Sequence, residues 1–590
     1  MNKIFLLVIP CCLLILVNCS TQRPDKFCYT FQEMKDPTID TLSDWSTIRS
    51  KTLMASFVSI DNKYPKSVAP EIDKAIVKHK VTGWKGERLS AQILLWSADN
   101  INQIEFEFDD FKSGKEILSS QIAQARFVRY VMTDEFAGGC GYRKPENFAA
   151  SLAPDMLDSL SCFNLEAKTV RPVWITIDIP SEAKSGSYSG NINLYAKGQK
   201  TQCFELEIEV LNKTLPSPSD WQFHLDQWQH PSAVARVHNL KVWSDEHFEA
   251  MKPVMQMLAN AGQKVITANI NKDPWNHQCF DAYEDMIVWN KNIDGTWTYD
   301  YTIFDRWVEF MMNIGVRKMI NCYSMAPWNN ELHYWDVKTQ KLITVVAKPG
   351  SEEFEEMWGT FLPDFVKHLK QKAWLEITNI AMDERSPEAM EATLSTLEKY
   401  APELGVALAD NHKSYKKYPF IKDMCVGVES PVDLEDIEQR RSKGLITTFY
   451  VCCSHSFPNQ FTFSDSAETT YFGWFTAANN LDGFLRWAYN SWVENPEIDS
   501  RFRTWPAGDT YIIYPDARSS IRYERLLEGI QDYEKIQIIK NQLLNSDVDA
   551  DKTKLSQLNA AISKLGSAER TATWNQDMNA AKELLNKLSE

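Results

Sequence analysis

The pattern of apolar and polar residues changes once along the chain, near residue 215. Between residues 25 and 212, segments such as 173–179 (VWITIDI) and 204–210 (FELEIEV) alternate apolar with polar positions. A period of two is typical of a strand with one buried face, and turn residues such as Ser185-Gly186-Ser187 separate these segments. Several such strands in succession predict a β-sandwich over residues 25–212.

After a Pro/Ser-rich linker at 212–220 (NKTLPSPSD), short apolar runs alternate with longer stretches of helical spacing. Strands are predicted at 223–225, 265–268, 318–322, 377–382, 406–409, 425–428, 446–451 and 484–488. Helices are predicted at 245–261, 302–314, 352–372, 387–400, 434–443, 467–480 and 518–544. This alternation predicts a (β/α)8 barrel over residues 220–545, followed by a C-terminal helical segment at 546–590. The alternative, an open doubly wound sheet, favours a Gly-rich phosphate loop after an early strand, and the sequence has none.

The first residues have the pattern of an export signal. A short positive segment, Met1-Asn2-Lys3, precedes an apolar stretch at 4–17, which is too short to span a bilayer. The following Asn18-Cys19-Ser20 is similar to a bacterial lipobox, in which acyl chains on the Cys hold the protein at a membrane. Residues 1–19 are therefore predicted to be a signal peptide with a lipobox, with Cys19 lipidated and the protein in the periplasm or on the outer-membrane surface. An ordinary signal peptide cut nearby is the alternative.

Net charge narrows the possible partners. The formal net charge of −16 argues against nucleic acid, which requires a basic surface. The 20 Trp, 21 Tyr and 29 Phe can fill a large core or stack on the apolar faces of sugar rings.

Cysteine spacing argues against a metal site. Nine cysteines follow Cys19, an odd number that cannot all pair internally, and most are expected to be small buried apolar residues. There is no CxxC or Cys/His spacing typical of a metal site. No metal and no other cofactor is therefore expected.

The most specific chemical feature is the adjacent acid pair Asp383-Glu384, which closes the fourth predicted strand. Catalytic residues of barrels lie at the carboxyl ends of strands. Conventional glycosidases place two carboxylates about 5–10 Å apart on opposite sides of the anomeric carbon, whereas neighbouring Cα atoms are only about 3.8 Å apart. Adjacent acids suit a scheme in which the substrate's own 2-acetamido group is the nucleophile. One acid protonates the leaving oxygen, and the other holds the acetamido N–H.

The motif Ala381-Met382-Asp383-Glu384-Arg385 resembles the catalytic motif of glycoside hydrolase family 123. Further segments are similar to the same family, namely 83–88 (GWKGER), 483–492 (GFLRWAYNSW), 505–510 (WPAGDT), 521–525 (IRYER) and 529–533 (GIQDY). The resemblance implies a β-sandwich followed by a (β/α)8 barrel. It also implies exo-acting release of terminal β-linked N-acetylgalactosamine through an oxazoline with net retention, on glycans such as those of glycosphingolipids. Glu384 then resembles the general acid/base and Asp383 the residue that orients the acetamido group.

The other candidate site residues lie at the ends of predicted strands. Tyr450 is the expected hydroxyl donor to the acetamido carbonyl, with Tyr323 as the alternative. Trp487 and Trp492 are candidate walls of the sugar pocket, although one of the two is expected to be barrel packing. Substrate hydroxyls, including the axial 4-OH, are candidates for contact with Asn490 and Asp509, and Asp509 fits a turn cap equally well. The predicted substrate-binding set is Asn269, Tyr323, Trp487, Asn490, Trp492 and Asp509.

Two other functions fit parts of the same sequence. A surface glycan-binding lipoprotein that does not cleave sugars shares the aromatic residues and the export signal, but binding alone does not need a proton donor. A glycosidase with an ordinary carboxylate nucleophile has Asp226, Asp410 and Asp509 as candidates.

Overall fold

The computed structural model describes residues 27–38 and 43–590. The predicted signal peptide and Cys19 lie outside the described residues. Within those described ranges, no helix has both the length and the apolar character needed to cross a bilayer.

The N-terminal domain is a sandwich of two sheets, as predicted. One sheet contains, in spatial order, Met54–Val58, Arg88–Ser97, Thr169–Asp178, Ala123–Thr133 and Ser151–Asp158. The other contains Lys78–Lys85, Gln202–Thr214, Gly186–Tyr195, Ile101–Phe108 and Phe163–Leu165, with the short strands Phe111–Ser113 and Glu116–Leu118 beside it. In Gln202–Thr214, Phe204, Leu206, Ile208 and Val210 are buried and the residues between them are not. The period of two therefore sets which residues enter the core.

The second domain is a nearly closed parallel barrel of eight strands, which confirms the predicted fold. In chain order the barrel strands are His224–Gln227, Val265–Asn269, Met319–Tyr323, Thr378–Asp383, Gly405–Ala409, Asp423–Gly427, Ile446–Tyr450 and Gly483–Arg486. Consecutive strands are hydrogen-bonded neighbours from the second strand to the eighth, and the eighth pairs with the first. The first and second strands meet through an isolated bridge between Leu225 and Gln263. The carboxyl ends of all eight strands therefore face one end of the barrel.

Helices follow the barrel strands and cover their outer faces. They are Pro231–Val237, Asp245–Asn260, Thr302–Asn313, Glu352–Lys372, Pro387–Tyr400, Ser414–Lys417, Leu434–Ser442, Ala467–Ala478 and Ile521–Leu544, with Asp549–Ser563 and Trp574–Ser589 at the C-terminus. The helix after the fourth strand begins sharply because the Ser386 hydroxyl accepts a hydrogen bond from the Ala389 N–H at 3.3 Å and Pro387 occupies its first turn. This sharp start leaves only a short loop for the residues after Asp383.

A small four-stranded sheet was not predicted from the sequence. It consists of Val288–Lys291, Trp297–Asp300, Glu331–Asp336 and Lys341–Val346, which lie in the loops after the second and third barrel strands. One face packs on the helix Glu352–Lys372, where the Trp289 and Phe361 rings stack at 4.4 Å. The sheet holds these long loops close to the carboxyl end of the barrel.

Buried ion pairs and a disulfide join the two domains. Arg522 on the helix Ile521–Leu544 pairs with Asp155 of the sandwich at 2.8 Å, and Lys535 pairs with Glu87 at 2.7 Å. Cys140 of the sandwich domain is bonded to Cys453 of the barrel. A second disulfide, Cys28–Cys162, lies within the sandwich.

These disulfides correct the expectation for the cysteines. Four of the nine are paired, while Cys203, Cys279, Cys322, Cys425 and Cys452 are free thiols. Sequence spacing carries no information on pairing between domains, so this connectivity could not be read from the chain.

Candidate active site

A cavity of about 210 Å³ opens at the carboxyl end of the barrel and contains both acids of the pair. Asp383 and Glu384 are the only carboxylates among the described residues that line it. Its walls are largely aromatic, because five tryptophans line it: Trp228, Trp275, Trp328, Trp487 and Trp505. The cavity is the size of a single sugar residue and offers apolar faces on which a sugar ring can stack.

The backbone turns at Glu384 so that two adjacent side chains reach the same cavity. Asp383 is the last residue of the fourth strand, and Glu384 has a left-handed backbone with φ of 47°. Consecutive residues of a regular strand point to opposite faces, so this break in the strand is what brings both carboxylates together. A left-handed conformation costs a non-glycine residue roughly 1–2 kcal/mol. Its presence beside the cavity is typical of strain kept for function.

Neighbouring loops fix this strained turn. The Glu384 N–H donates to the Ala409 carbonyl at 3.0 Å, and the Trp328 indole N–H donates to the Asp383 carbonyl at 3.2 Å. Arg385 donates to the Asn330 side chain at 3.2 Å, which holds the loop that carries Trp328. These contacts to the backbone of the turn therefore hold both carboxylates at the cavity.

Tyr450, at the end of the seventh strand, touches the acid pair directly. Its hydroxyl donates to Glu384 Oε1 at 2.7 Å, and Asn411 Nδ2 donates to the same hydroxyl at 3.1 Å. Asn411 Oδ1 accepts from the Gly427 N–H at 2.7 Å, and a Cβ atom at Gly427 would lie only 2.8 Å from that oxygen. A glycine at the end of the sixth strand thus lets Asn411 approach closely enough to orient Tyr450.

The two carboxylates do not share one electrostatic environment. Burial, and then the negative charge of Glu384, raise the pKa of Asp383 well above its ordinary range, against the smaller opposing effects of a hydrogen bond from Trp275 and the charge of Arg385. Glu384 itself is exposed at the cavity. Because the two acids are adjacent, the pair retains a proton to higher pH than an isolated aspartate does.

Aromatic side chains form the floor and one wall of the cavity. Trp228 stacks on Trp275 with ring centroids 4.8 Å apart, and the Tyr323 ring lies 4.6 Å from that of Trp228. Trp487 meets Trp505 edge to face at 5.6 Å. Tyr323 is buried behind the two tryptophans and does not line the cavity. Of the two candidate hydroxyl donors, Tyr450 is therefore the one that the structure brings to the acids.

Besides Tyr323, four more of the six predicted substrate-binding residues lie away from the cavity, which corrects the assignment of all five. Asn490 exchanges hydrogen bonds with the backbone of His230 at 2.9 and 3.0 Å, and the Trp492 indole donates to the Ile513 carbonyl at 2.8 Å. Asp509 forms a buried ion pair with Arg486, and Asn269 is buried at the end of the second strand. The eighth strand ends at Arg486, so the chain leaves the barrel before it reaches Asn490. Trp492 is thus the packing residue of the predicted tryptophan pair, and Trp487 lines the cavity.

The candidates for a conventional nucleophile also lie outside the cavity. Asp410 accepts hydrogen bonds from the His412 N–H at 2.9 Å and from the Ser414 hydroxyl at 2.6 Å, which is a loop-capping role. Asp226 is buried inside the barrel, and Asp509 faces Arg486. Neither their positions nor their partners place these carboxylates against a sugar in the cavity.

Sequence reasoning missed several residues that line the site. Trp275 and Trp328 lie in long loops without periodic pattern, where no signal identified them. Trp505 begins the segment 505–510 that is similar to the family, but it was not assigned to the site. Asn411 is the second residue after the fifth strand, so its position at a strand end was a usable signal.

One group of metal-ligating side chains occurs among the described residues. The sulfur atoms of Cys140, Cys452 and Cys453 lie within 4.8 Å of one another. Two of them are joined in a disulfide and offer no thiolate to a metal.

Comparison with known proteins points to one family. Residues 228–539 match the model of the glycoside hydrolase 123 catalytic domain, and residues 57–196 match that of the glycoside hydrolase 123 N-terminal domain. The chain is 27% identical to a family 123 glycoside hydrolase from Clostridium perfringens whose structure was analysed for glycolipid glycan hydrolysis, with a TM-score of 0.81 over 91% of this chain and 98% of that chain.

More distant matches add nothing to this. A family 5 xyloglucanase from Bacteroides ovatus is 10% identical, with a TM-score of 0.29 over 77% of this chain and 98% of that chain. A similarity this low gives no information on function. No curated protein sequence matches the chain significantly.

Proposed function

This chain belongs to glycoside hydrolase family 123, and we propose that it releases terminal β-linked N-acetylgalactosamine from the non-reducing end of glycans. Glycosphingolipid oligosaccharides are the proposed natural substrates. The similar chain from Clostridium perfringens supports this choice, since it was studied for glycolipid glycan hydrolysis.

One observation carries the proposal. Among the described residues, two adjacent carboxylates line a cavity the size of one sugar, and no third carboxylate lines it. A conventional nucleophile would require a carboxylate on the face opposite the acid. The 2-acetamido group of the substrate supplies the missing nucleophile. Its carbonyl oxygen attacks the anomeric carbon while the glycosidic C–O bond breaks, which gives an oxazolinium ion and the free aglycone.

Each acid has a separate role in this scheme. Glu384 protonates the leaving oxygen and then removes a proton from the water that opens the oxazoline, with net retention at the anomeric carbon. Asp383 accepts a hydrogen bond from the acetamido N–H and stabilises the positive charge that develops on that nitrogen.

Substrate binding supplies the protonation states that these roles need. In the free site the raised pKa of Asp383 favours a proton on that carboxyl. An acetamido N–H that donates to Asp383 favours its ionised form, so the proton held by the pair passes to Glu384. Tyr450, which donates to Glu384 in the free site, can then turn its hydroxyl to the acetamido carbonyl.

We expect Tyr450→Phe to lower kcat on aryl β-N-acetylgalactosaminides by about 10²-fold, as expected for loss of one donor to a developing charge. The ring of Phe keeps the packing of Tyr450, so the variant should fold normally. Steady-state kinetics with a set of aryl leaving groups test this. A variant with wild-type kcat would remove Tyr450 from the reaction.

A hydrolysis panel of aryl β-glycosides tests the proposed specificity. N-acetylgalactosaminide, N-acetylglucosaminide, galactoside and glucoside are compared at equal enzyme concentration. Turnover of the first alone is expected, because the galactoside and the glucoside lack the internal nucleophile and the N-acetylglucosaminide carries an equatorial 4-OH in place of the axial one. Faster turnover of galactoside than of N-acetylgalactosaminide, or binding of sugar without turnover of any, would contradict the proposal.

Export and lipid anchoring are also proposed, with the acylated protein in the periplasm or on the outer-membrane surface. The apolar stretch at 4–17 followed by Asn18-Cys19-Ser20 supports this. Metabolic labelling with radioactive palmitate should mark the wild-type protein and not Cys19→Ala, and an unlabelled wild-type protein would leave only an ordinary signal peptide.

A further inference from the structure

A loop of the sandwich domain reaches the sugar cavity of the barrel. Residues 134–149 lie between the strands Ala123–Thr133 and Ser151–Asp158, and Cys140 at the tip of this loop lines the cavity. Cys140 lies between Gly139 and Gly141, and Gly138, Gly139 and Gly141 have φ of 68°, 88° and 121°. Glycines in these conformations give the tip a large conformational freedom that something must restrict.

The disulfide supplies this restriction. The anchors on either side of the tip are Phe136, whose ring lies 6.2 Å from that of Phe461, and Arg143, whose side chain pairs with Asp134 at 3.0 Å. Between these anchors, residues 137–142 are exposed to solvent. The Cys140–Cys453 bond joins this tip to the residues that follow the seventh strand, and Cys453 also lines the cavity.

A free thiol lies beside this bond. The Cys452 sulfur is within 4.8 Å of both disulfide sulfurs and 3.1 Å from the Ser454 hydroxyl, and Cys452 lines the same cavity. The wall next to Tyr450 and Glu384 therefore contains three sulfur atoms, two from the barrel and one from the sandwich.

We propose that the Cys140–Cys453 disulfide is a redox-sensitive positioning element that completes the sugar-binding cavity with the loop of the sandwich domain. In the oxidised protein, the tip is fixed as a wall of the cavity. In the reduced protein, the tip is free, and the substrate must order it again on binding. This inference rests on the proposed function for the identity of the sugar, and not for the position of the loop.

The reductant is a small thiol, and its reaction with the bond balances without a further reagent. The thiolate attacks the sulfur of Cys140, which is the exposed partner, and the Cys453 thiolate leaves. A second thiol then cleaves the mixed disulfide. Two thiols are oxidised to one small disulfide, and their protons pass to the sulfurs of Cys140 and Cys453.

The expected effect falls on binding and not on chemistry. The proposed reaction uses neither disulfide sulfur, so kcat for a good leaving group should change little. Ordering a free loop lowers affinity, and we expect KM for an aryl β-N-acetylgalactosaminide to rise about tenfold.

The test compares wild-type protein, Cys140→Ser and Cys28→Ser, each with and without dithiothreitol. Cys28→Ser removes the other disulfide, which lies within the sandwich, and is the matched control. We expect KM to be raised in reduced wild type and in Cys140→Ser. Dithiothreitol should raise KM no further in Cys140→Ser, whereas Cys28→Ser should respond to it as the wild type does. Cys140→Ser is chosen over Cys453→Ser because the nearby Cys452 can replace Cys453 in the bond.

A second measurement tests the proposal even if Cys140→Ser folds poorly or if the proposed function is wrong. Hydrogen exchange of residues 134–149 in folded wild type, before and after reduction, needs no substrate, and alkylation with mass analysis shows that Cys140 and Cys453 were reduced. Faster exchange confined to this loop supports the proposal. The proposal is overturned if exchange is unchanged after complete reduction, or if KM stays at the wild-type value in Cys140→Ser. An oxidised wild type that hydrolyses no N-acetylgalactosaminide contradicts only the proposed function.

Discussion

Asp383→Asn is expected to lower kcat on every aryl β-N-acetylgalactosaminide on the order of 10³-fold, whatever the leaving group. An amide cannot stabilise the positive nitrogen of the oxazolinium ion, and that charge develops in the same step for all leaving groups. The measurement is a series of kcat values against the pKa of the leaving phenol. A loss that disappears with the best leaving groups would assign Asp383 to proton transfer instead.

The same substitution should stabilise the folded protein, which separates a catalytic role from a structural one. The pKa of Asp383 is raised in the folded state, so the folded state binds its proton more tightly than the unfolded state, whose aspartate pKa is about 3.9. Wild-type stability is therefore lost as pH rises from that value through the folded pKa. The amide of the Asp383→Asn variant does not titrate, so the Tm difference between variant and wild type should grow between acidic and neutral pH. A variant with lower Tm at neutral pH would mean that Asp383 is held there by its contacts and not for catalysis.

Glu384→Gln, unlike Asp383→Asn, is expected to lose activity to an extent that depends strongly on the leaving group. General acid catalysis contributes about 10²–10⁴-fold, and it matters most where the departing oxygen is a poor leaving group. Oligosaccharide substrates should therefore lose activity by this factor, whereas a dinitrophenyl substrate should lose much less in the bond-breaking step. Glu388→Gln is the matched control, because Glu388 is an exposed acid four residues away that does not line the cavity. Equal losses for all leaving groups would remove Glu384 from the role of acid.

The barrel was predictable because its signals are local. Seven of the eight predicted strands are followed by a predicted helix, in places with a visible start or end, as at Ser386-Pro387. The acid pair was predictable for the same reason, since it closes a buried strand. The left-handed turn at Glu384 could be predicted only in part. The adjacency of the two acids requires a break in the strand, but the φ of Glu384 is set by contacts with Ala409 and Trp328, which are distant in sequence.

The rest of the site depends on contacts that sequence position does not reveal. Asn490 and Trp492 continue the motif that begins in the eighth strand, yet the chain leaves the barrel at Arg486. Trp275 and Trp328 enter the cavity from long loops that the unpredicted four-stranded sheet holds in place. The Cys140–Cys453 bond joins residues 313 positions apart, and no local pattern encodes it.

The central claim is that the sugar supplies its own nucleophile, and N-acyl substitution tests it most directly. Aryl N-acetylgalactosaminides with one, two and three fluorine atoms on the acetyl group keep the shape of the substrate while making the carbonyl oxygen a progressively weaker nucleophile. The account predicts that kcat/KM falls steeply with each fluorine added. A rate that is independent of fluorination would mean that an enzyme carboxylate attacks the sugar, and would contradict the account.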